Sequence, residues 1–255
     1  MGVVLSVAGK GGVGKTTFSA LMLRELCDDN RVVLAIDADP NYNLGESLGI
    51  AVERTIGALR EELMKTKDDL PAGVSKQELI EYQIRLALQE EDCYDLLTMG
   101  RQEGPGCYCY INSVLRSFID ALSSKYDYVL IDNEAGLEHL SRRTTVGSDV
   151  LFVISDSSAV SLRAAGRIAR LADDMELRIA RKALVLNRSD SAPSEKELSL
   201  AGYDFDAQYR IRKDAVIGRL SEEGRSISDL GNVTPAVEDM RRIITDEIRR
   251  KRLSR

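Results

Sequence analysis

An α/β fold, built on a mostly parallel, doubly wound sheet flanked by helices, is what this chain's residue pattern implies. Apolar runs of strand length recur along it, helical spacings lie between several of them, and a glycine-rich octet joins the first run to the first helix. The first run is Val3-Val4-Leu5, continuing to Val7-Ala8, and its unbroken apolar character marks a strand buried on both faces. Residues 9–16 follow as Gly-Lys-Gly-Gly-Val-Gly-Lys-Thr, and then Phe18, Leu21, Met22, Leu23 and Leu26 repeat at helical intervals over 17–27. Further strands are expected at Val32–Ile36, Tyr94–Met99, Tyr128–Ile131, Val150–Ile154 and Ala183–Leu186, with helices at Ile111–Leu122 and Ser161–Ala172. Residues 51–91 are charged, broadly helical and broken near Pro71-Ala72-Gly73, and read as a helical insertion. Asp190–Glu197 reads as a loop or helix start, and Arg241–Arg255 as a solvated basic terminal helix.

A chain of 255 residues with 44% hydrophobic content can fill one large core, so a single domain over 1–255 is expected. The formal charge of −6 argues against global electrostatic attachment to nucleic acid or to an anionic membrane, and neither is expected as a partner. No apolar run is long enough for a bilayer, and Lys10 with its glycines interrupts any leader-like segment, which points to a cytoplasmic protein. In that compartment Cys27, Cys93, Cys107 and Cys109 would be reduced.

The octet carries the first chemistry. G-x-x-x-x-G-K-[ST] is met by Gly9, Gly14, Lys15 and Thr16, a P-loop that binds nucleoside triphosphate, with Gly11, Gly12, Val13 and Thr17 completing the cradle. Glycines let backbone N–H groups close on phosphate oxygens, Lys15 neutralises the β/γ charge, and the Thr16 hydroxyl can ligate Mg²⁺. The phosphates would sit at a helix N-terminus, where the dipole favours anions. Asp37 and Asp39 follow the second strand at the ligand edge of the sheet; Asp39 could orient the attacking water and Asp37 could hold the water shell of magnesium. After the strand ending at Ile131, Asp132 would hold Mg²⁺ through water and Gly136 would offer backbone that can approach the γ-phosphate. Asn187 ends a late strand, and its amide can pair with the edge of adenine.

A second chemistry lies in Cys107-Tyr108-Cys109, which follows Gly104-Pro105-Gly106 at the start of a helical pattern. Positive potential at a helix N-terminus favours thiolate, yet two thiolates fill only half of a tetrahedral soft-metal site. The same pair from a second subunit would complete it, and four thiolates suit Ni²⁺, Zn²⁺ or an iron–sulfur cluster. His139 reads as a polar helix residue, and Cys27 and Cys93 as packing residues.

Lys10 gives the loop the form K-G-G-x-G-K-[ST], which resembles the deviant Walker A box of the MinD/ParA/nitrogenase-iron-protein class of P-loop NTPases. In that class the extra lysine reaches across a dimer to the partner's nucleotide, the second aspartate of D-x-D is hydrolytic, and the late asparagine reads adenine. Together with Gly-Cys-Tyr-Cys-Tyr-Ile-Asn at 106–112 and the stretch from Asp132 to Arg142, the chain resembles CooC/AcsF-type ATPases that mature carbon monoxide dehydrogenase and acetyl-CoA synthase. The resemblance implies an ATP-hydrolysing homodimer with catalytic Lys10, Lys15 and Asp39, a nickel or zinc ion shared between Cys107/Cys109 pairs, and delivery of nickel to such a client. Asn133-Glu134 departs from the prolines most relatives carry there, and Tyr209–Asp214 resembles a second base-side loop without its usual proline. The competing readings are a MinD/ParA-like positioning ATPase acting on membrane or DNA, and an iron–sulfur electron-donor ATPase.

Overall fold

The computed structural model describes residues 2–28, 31–65, 75–101, 114, 117–122, 124–134 and 147–253. Eight strands, β1 (Val3–Gly9), β2 (Val33–Asp37), β3 (Leu88–Glu90), β4 (Tyr94–Thr98), β5 (Tyr128–Asp132), β6 (Val150–Ser155), β7 (Lys182–Asn187) and β8 (Ala207–Ile211), form one sheet in the order β3-β4-β2-β5-β1-β6-β7-β8. All neighbours are parallel except β3, which runs antiparallel to β4. The helices are α1 (Lys15–Asp28), α2 (Asn43–Leu48), α3 (Ile56–Lys65), α4 (Lys76–Leu86), α5 (Ala159–Asp174), α6 (Glu195–Ala201), α7 (Ala215–Glu222) and α8 (Pro235–Leu253). Residues 117–122 are helical as well, within the helix expected at Ile111–Leu122.

The expected mostly parallel α/β sheet is what forms, and burial on both faces explains its continuous apolar strands. Successive residues point to opposite faces, so Val4, Leu34, Ile36, Val129, Ile131 and Val153 join one core while Leu5, Val7, Val33, Ala35, Leu130 and Phe152 join another. The first core is closed by α4, α5 and α6 through residues such as Ile80, Ile84, Ala165, Ala169 and Ala201. The second is closed by α1 and α8, with Leu21, Met22, Leu26, Val237, Met240 and Ile243 fully buried. Each such side chain contributes roughly 1.5–3 kcal/mol on burial, so α1 is anchored far more firmly than its own helix propensity would allow.

Two elements depart from expectation. Within the segment read as a helical insertion, α3 and α4 form, but the chain then turns into β3, which pairs with β4 and ends the sheet. β8 was not expected either: it takes in Tyr209–Ile211, the first half of the segment likened to a base-side loop, and in the loop that follows Arg212 is tied to α8 through Asp239 at 2.8 Å and Glu238 at 2.9 Å. The expectation that Cys27 and Cys93 are reduced is also corrected. Their sulfurs are bonded, because the last turn of α1 lies beside the start of β4 and brings the two Cα atoms to 5.6 Å. Val33 N donates to Cys93 O alongside, which fixes that approach.

Candidate functional site

The parallel register brings the acidic residues together. Val7 stands opposite Asp132, Asp132 opposite Asp37, and Asp37 opposite Thr98, so two carboxylates and a threonine hydroxyl form a row across the carboxyl ends of β5, β2 and β4. The octet crosses this edge between β1 and α1. Its form depends on glycine where the chain turns left-handed: Gly14 has φ +90°, and a β-carbon there would run into the Asn187 amide. Lys15 is buried and folds back to donate to the Lys10 carbonyl at 3.4 Å, whereas the Lys10 side chain stands in solvent.

Asp132 is 1% exposed. Its Oδ1 accepts from Ser19 Oγ at 2.9 Å, Thr16 also hydrogen-bonds the carboxylate, and Oδ2 has no partner among the described residues. Burial pushes this carboxyl up to about 6 against the opposing pull of Thr16, Ser19 and the Lys15 charge. Asp37 is fully buried, and burial followed by the Asp132 charge pushes its carboxyl up to about 7. It also has a task the sequence did not reveal. Its two oxygens accept from the N–H groups of Asp39 and Leu44, both at 3.0 Å, and so shape the loop from β2 into α2. Asp39 is half-buried and holds Asn41 N at 2.9 Å in an Asx turn.

A hard divalent cation fits this donor set: a buried carboxylate oxygen without a partner, the Thr16 hydroxyl, and a second carboxylate in register beside them are all oxygen donors. An unpaired buried carboxylate is costly, and a cation or its water shell is the natural complement.

Asn187 lies at the opposite side of the octet. Its Nδ2 donates to Val13 O at 2.8 Å and its Oδ1 accepts from Arg188 N at 3.1 Å, so the amide ties the loop to β7 in this structure. Asn133 plays a similar part on β5: its backbone N–H and its side-chain amide both donate to Val7 O, at 3.0 and 2.9 Å, binding the end of β5 to β1. At the start of α5, partial burial raises Asp156, but Ser158, Ser161 and the Lys10 charge together hold its carboxyl below the usual range.

Gly11, Gly12, Val13, Thr16 and Thr17 occupy the loop and first helical turn as read from sequence. Gly136, Cys107, Cys109 and His139 lie outside the described residues, and among the described residues no three or more His, Cys, Asp and Glu side chains cluster to hold a metal. No helix of the described residues is long and apolar enough to cross a membrane. Ser19 was not singled out from sequence, although it stands one helical turn after Thr16 and on the same face of α1.

Comparison with known proteins agrees with this geometry. Residues 2–185 match the AAA domain family. An uncharacterized ATP-binding protein of Methanocaldococcus jannaschii is 47% identical over 73% of this chain and 74% of its own length. The carbon monoxide dehydrogenase accessory protein CooC of Rhodospirillum rubrum is 31% identical over 92% of each chain. Among solved structures, the cell division ATPase MinD of Pyrococcus furiosus superimposes with a TM-score of 0.67 at 21% identity, covering 98% of this chain and 99% of that one. That likeness shows the fold, and the sequence matches carry the rest. The chain belongs to the AAA domain family, in the CooC-like branch of the MinD/ParA class of deviant P-loop ATPases.

Proposed function

We propose that this chain hydrolyses ATP with Mg²⁺ as a nucleotide-gated homodimer and delivers nickel to an enzyme of the carbon monoxide dehydrogenase or acetyl-CoA synthase type. The observation that carries the reading is the Cys107-Tyr108-Cys109 pair in a chain matched over 92% of its length to a carbon monoxide dehydrogenase accessory protein. One pair supplies two thiolates, a closed soft-metal site takes four, and a two-fold axis provides the other two. In this reading Lys15 and Thr16 bind the phosphates and magnesium, Asp39 orients water, Gly136 approaches the γ-phosphate, Asn187 reads adenine and Lys10 reaches the partner's nucleotide. Asn187 must then leave Val13 O when adenine arrives. Nucleotide can gate the metal only if the two dimer geometries differ in metal affinity.

Metal analysis of the dimer, with and without ATP, tests it. One nickel or zinc per dimer, lost in Cys107→Ser and in Cys109→Ser singly, is the expected result; one tight ion per monomer, or unchanged binding in Cys109→Ser, overturns it. The likeness to MinD favours a second reading, a positioning ATPase working on a membrane, since a septum site-determining MinD of Helicobacter pylori is 26% identical over 73% of this chain. Co-sedimentation with anionic vesicles in ATP, together with absence of bound metal, would select that reading instead.

A further inference from the structure

Arg188 stands out among the residues without an assigned task. It follows β7 directly and has φ +58°, the left-handed region that a non-glycine side chain rarely adopts. Both neighbours pin it there. Asn187 Oδ1 accepts from the Arg188 N–H, while Ser189 N donates to Ile211 O at 3.1 Å and Ser189 Oγ donates to Ser191 O at 2.9 Å. Strain held by surrounding bonds in this way concentrates at binding sites. What the strained turn achieves is the placement of a guanidinium: Nη2 lies 3.5 Å from where a β-carbon on Gly14 would stand. Arg188 is exposed, and among the described residues its guanidinium makes no hydrogen bond or ion pair.

The topology says which part of a nucleotide this charge faces. The carboxylates that suit a cation, Asp132 and Asp37, lie on β5 and β2, on one side of β1. The metal and the terminal phosphate belong on that side. A nucleotide seated on the octet therefore leads its α-phosphate and nucleoside the other way, towards β6 and β7, where Arg188 waits over the loop. Lys15 is committed to the terminal phosphates and Asn187 is an uncharged amide, whereas the Arg188 guanidinium is a cation held over the loop on this side.

We infer that Arg188 is a nucleotide-binding residue whose guanidinium binds the α-phosphate of a nucleoside di- or triphosphate from the β7 side. The inference rests on the nucleotide reading of the site. A guanidinium pairs with phosphate through charge-assisted hydrogen bonds, and loss of one such contact weakens binding by about tenfold or more.

Binding of ADP to the full chain, measured by calorimetry in wild type and in Arg188→Ala, Arg188→Lys and Arg188→Gly, tests this. Arg188→Ala should bind ADP about tenfold more weakly and with a shallower salt dependence, while Arg188→Lys, which keeps the charge, should recover most of the affinity. Arg188→Gly should bind as weakly as Arg188→Ala yet melt at a higher temperature than wild type, because glycine relieves the left-handed backbone. Unchanged ADP affinity in Arg188→Ala overturns the inference, as does a lysine variant as weak as alanine. A glycine variant that melts lower than wild type overturns it too, by making Arg188 a structural support. Wild-type protein that binds neither ADP nor ATP would instead overturn the nucleotide reading itself.

Discussion

Asp37 makes the nucleotide-free protein sensitive to pH. Its carboxyl rises from 3.8 to about 7 in the folded state, so the fold takes up a proton that the unfolded chain has already released. The stabilisation is complete below about pH 4 and is lost as the pH rises through about 7, amounting to up to about 4 kcal/mol. Melting temperature without nucleotide should therefore fall between about pH 4 and pH 7, and Asp37→Asn should reduce that fall to the part contributed by Asp132, whose carboxyl is raised as well, while weakening the magnesium dependence of nucleotide binding. A melting curve independent of pH in the wild type would contradict the buried carboxyl. Lys15 and Asp39 should separate binding from chemistry. Lys15→Ala should abolish ATP binding, whereas Asp39→Ala should bind nearly normally and slow hydrolysis at least ~10²-fold if Asp39 positions the water; equal affinity loss in both would refute that division. The placement of Lys15, Thr16, Asp37 and Asp132 at one edge of the sheet was legible because their spacing from strand ends is itself the signal. The tie from Asn187 to Val13 was not, since it joins residues 174 positions apart and nothing local encodes it.

At the level of elements, the bond between Cys27 and Cys93 holds the end of α1 against the start of β4 across a sequence separation of 66. Closing a loop of that length stabilises a chain by about 4 kcal/mol through the unfolded state. Reduction, or Cys93→Ser, should lower the melting temperature by on the order of 10 °C. Identical melting with and without a strong reductant would show that the thiols are not joined. Sequence spacing placed β1, β2, β4, β5, β6 and β7 because each is a compact apolar run. β3 was hidden: Leu-Gln-Glu is short and poor in strand-forming residues, and only pairing with β4 makes it a strand. β8 was hidden for a related reason, since Ala-Gln-Tyr-Arg-Ile sits at the sheet's other edge and is only partly buried, so it lacks the continuous apolar signature.

For the whole molecule, the proposed dimer turns on Lys10, whose side chain is exposed at the nucleotide edge near Asp156. Lys10→Ala should keep much of the monomer's ATP affinity yet lose ATP-induced dimerisation, read as the absence of a mass shift in light scattering; wild-type protein that stays monomeric with ATP and metal at micromolar concentration would remove the trans role. The arrangement of sheet and helices was legible from alternating patterns, but the pairing of two chains depends on surfaces that no periodicity reports. The Cys27–Cys93 bond also encloses β2, α2, α3, α4 and β3 within one covalent ring. A protease that nicked the chain between α3 and α4 would leave its two pieces attached, migrating as one band on a denaturing gel until thiol was added. The two halves of the row formed by Asp37 and Asp132 would thus stay in the same molecule after such a cut, so backbone scission there need not separate the residues that meet at the cation site.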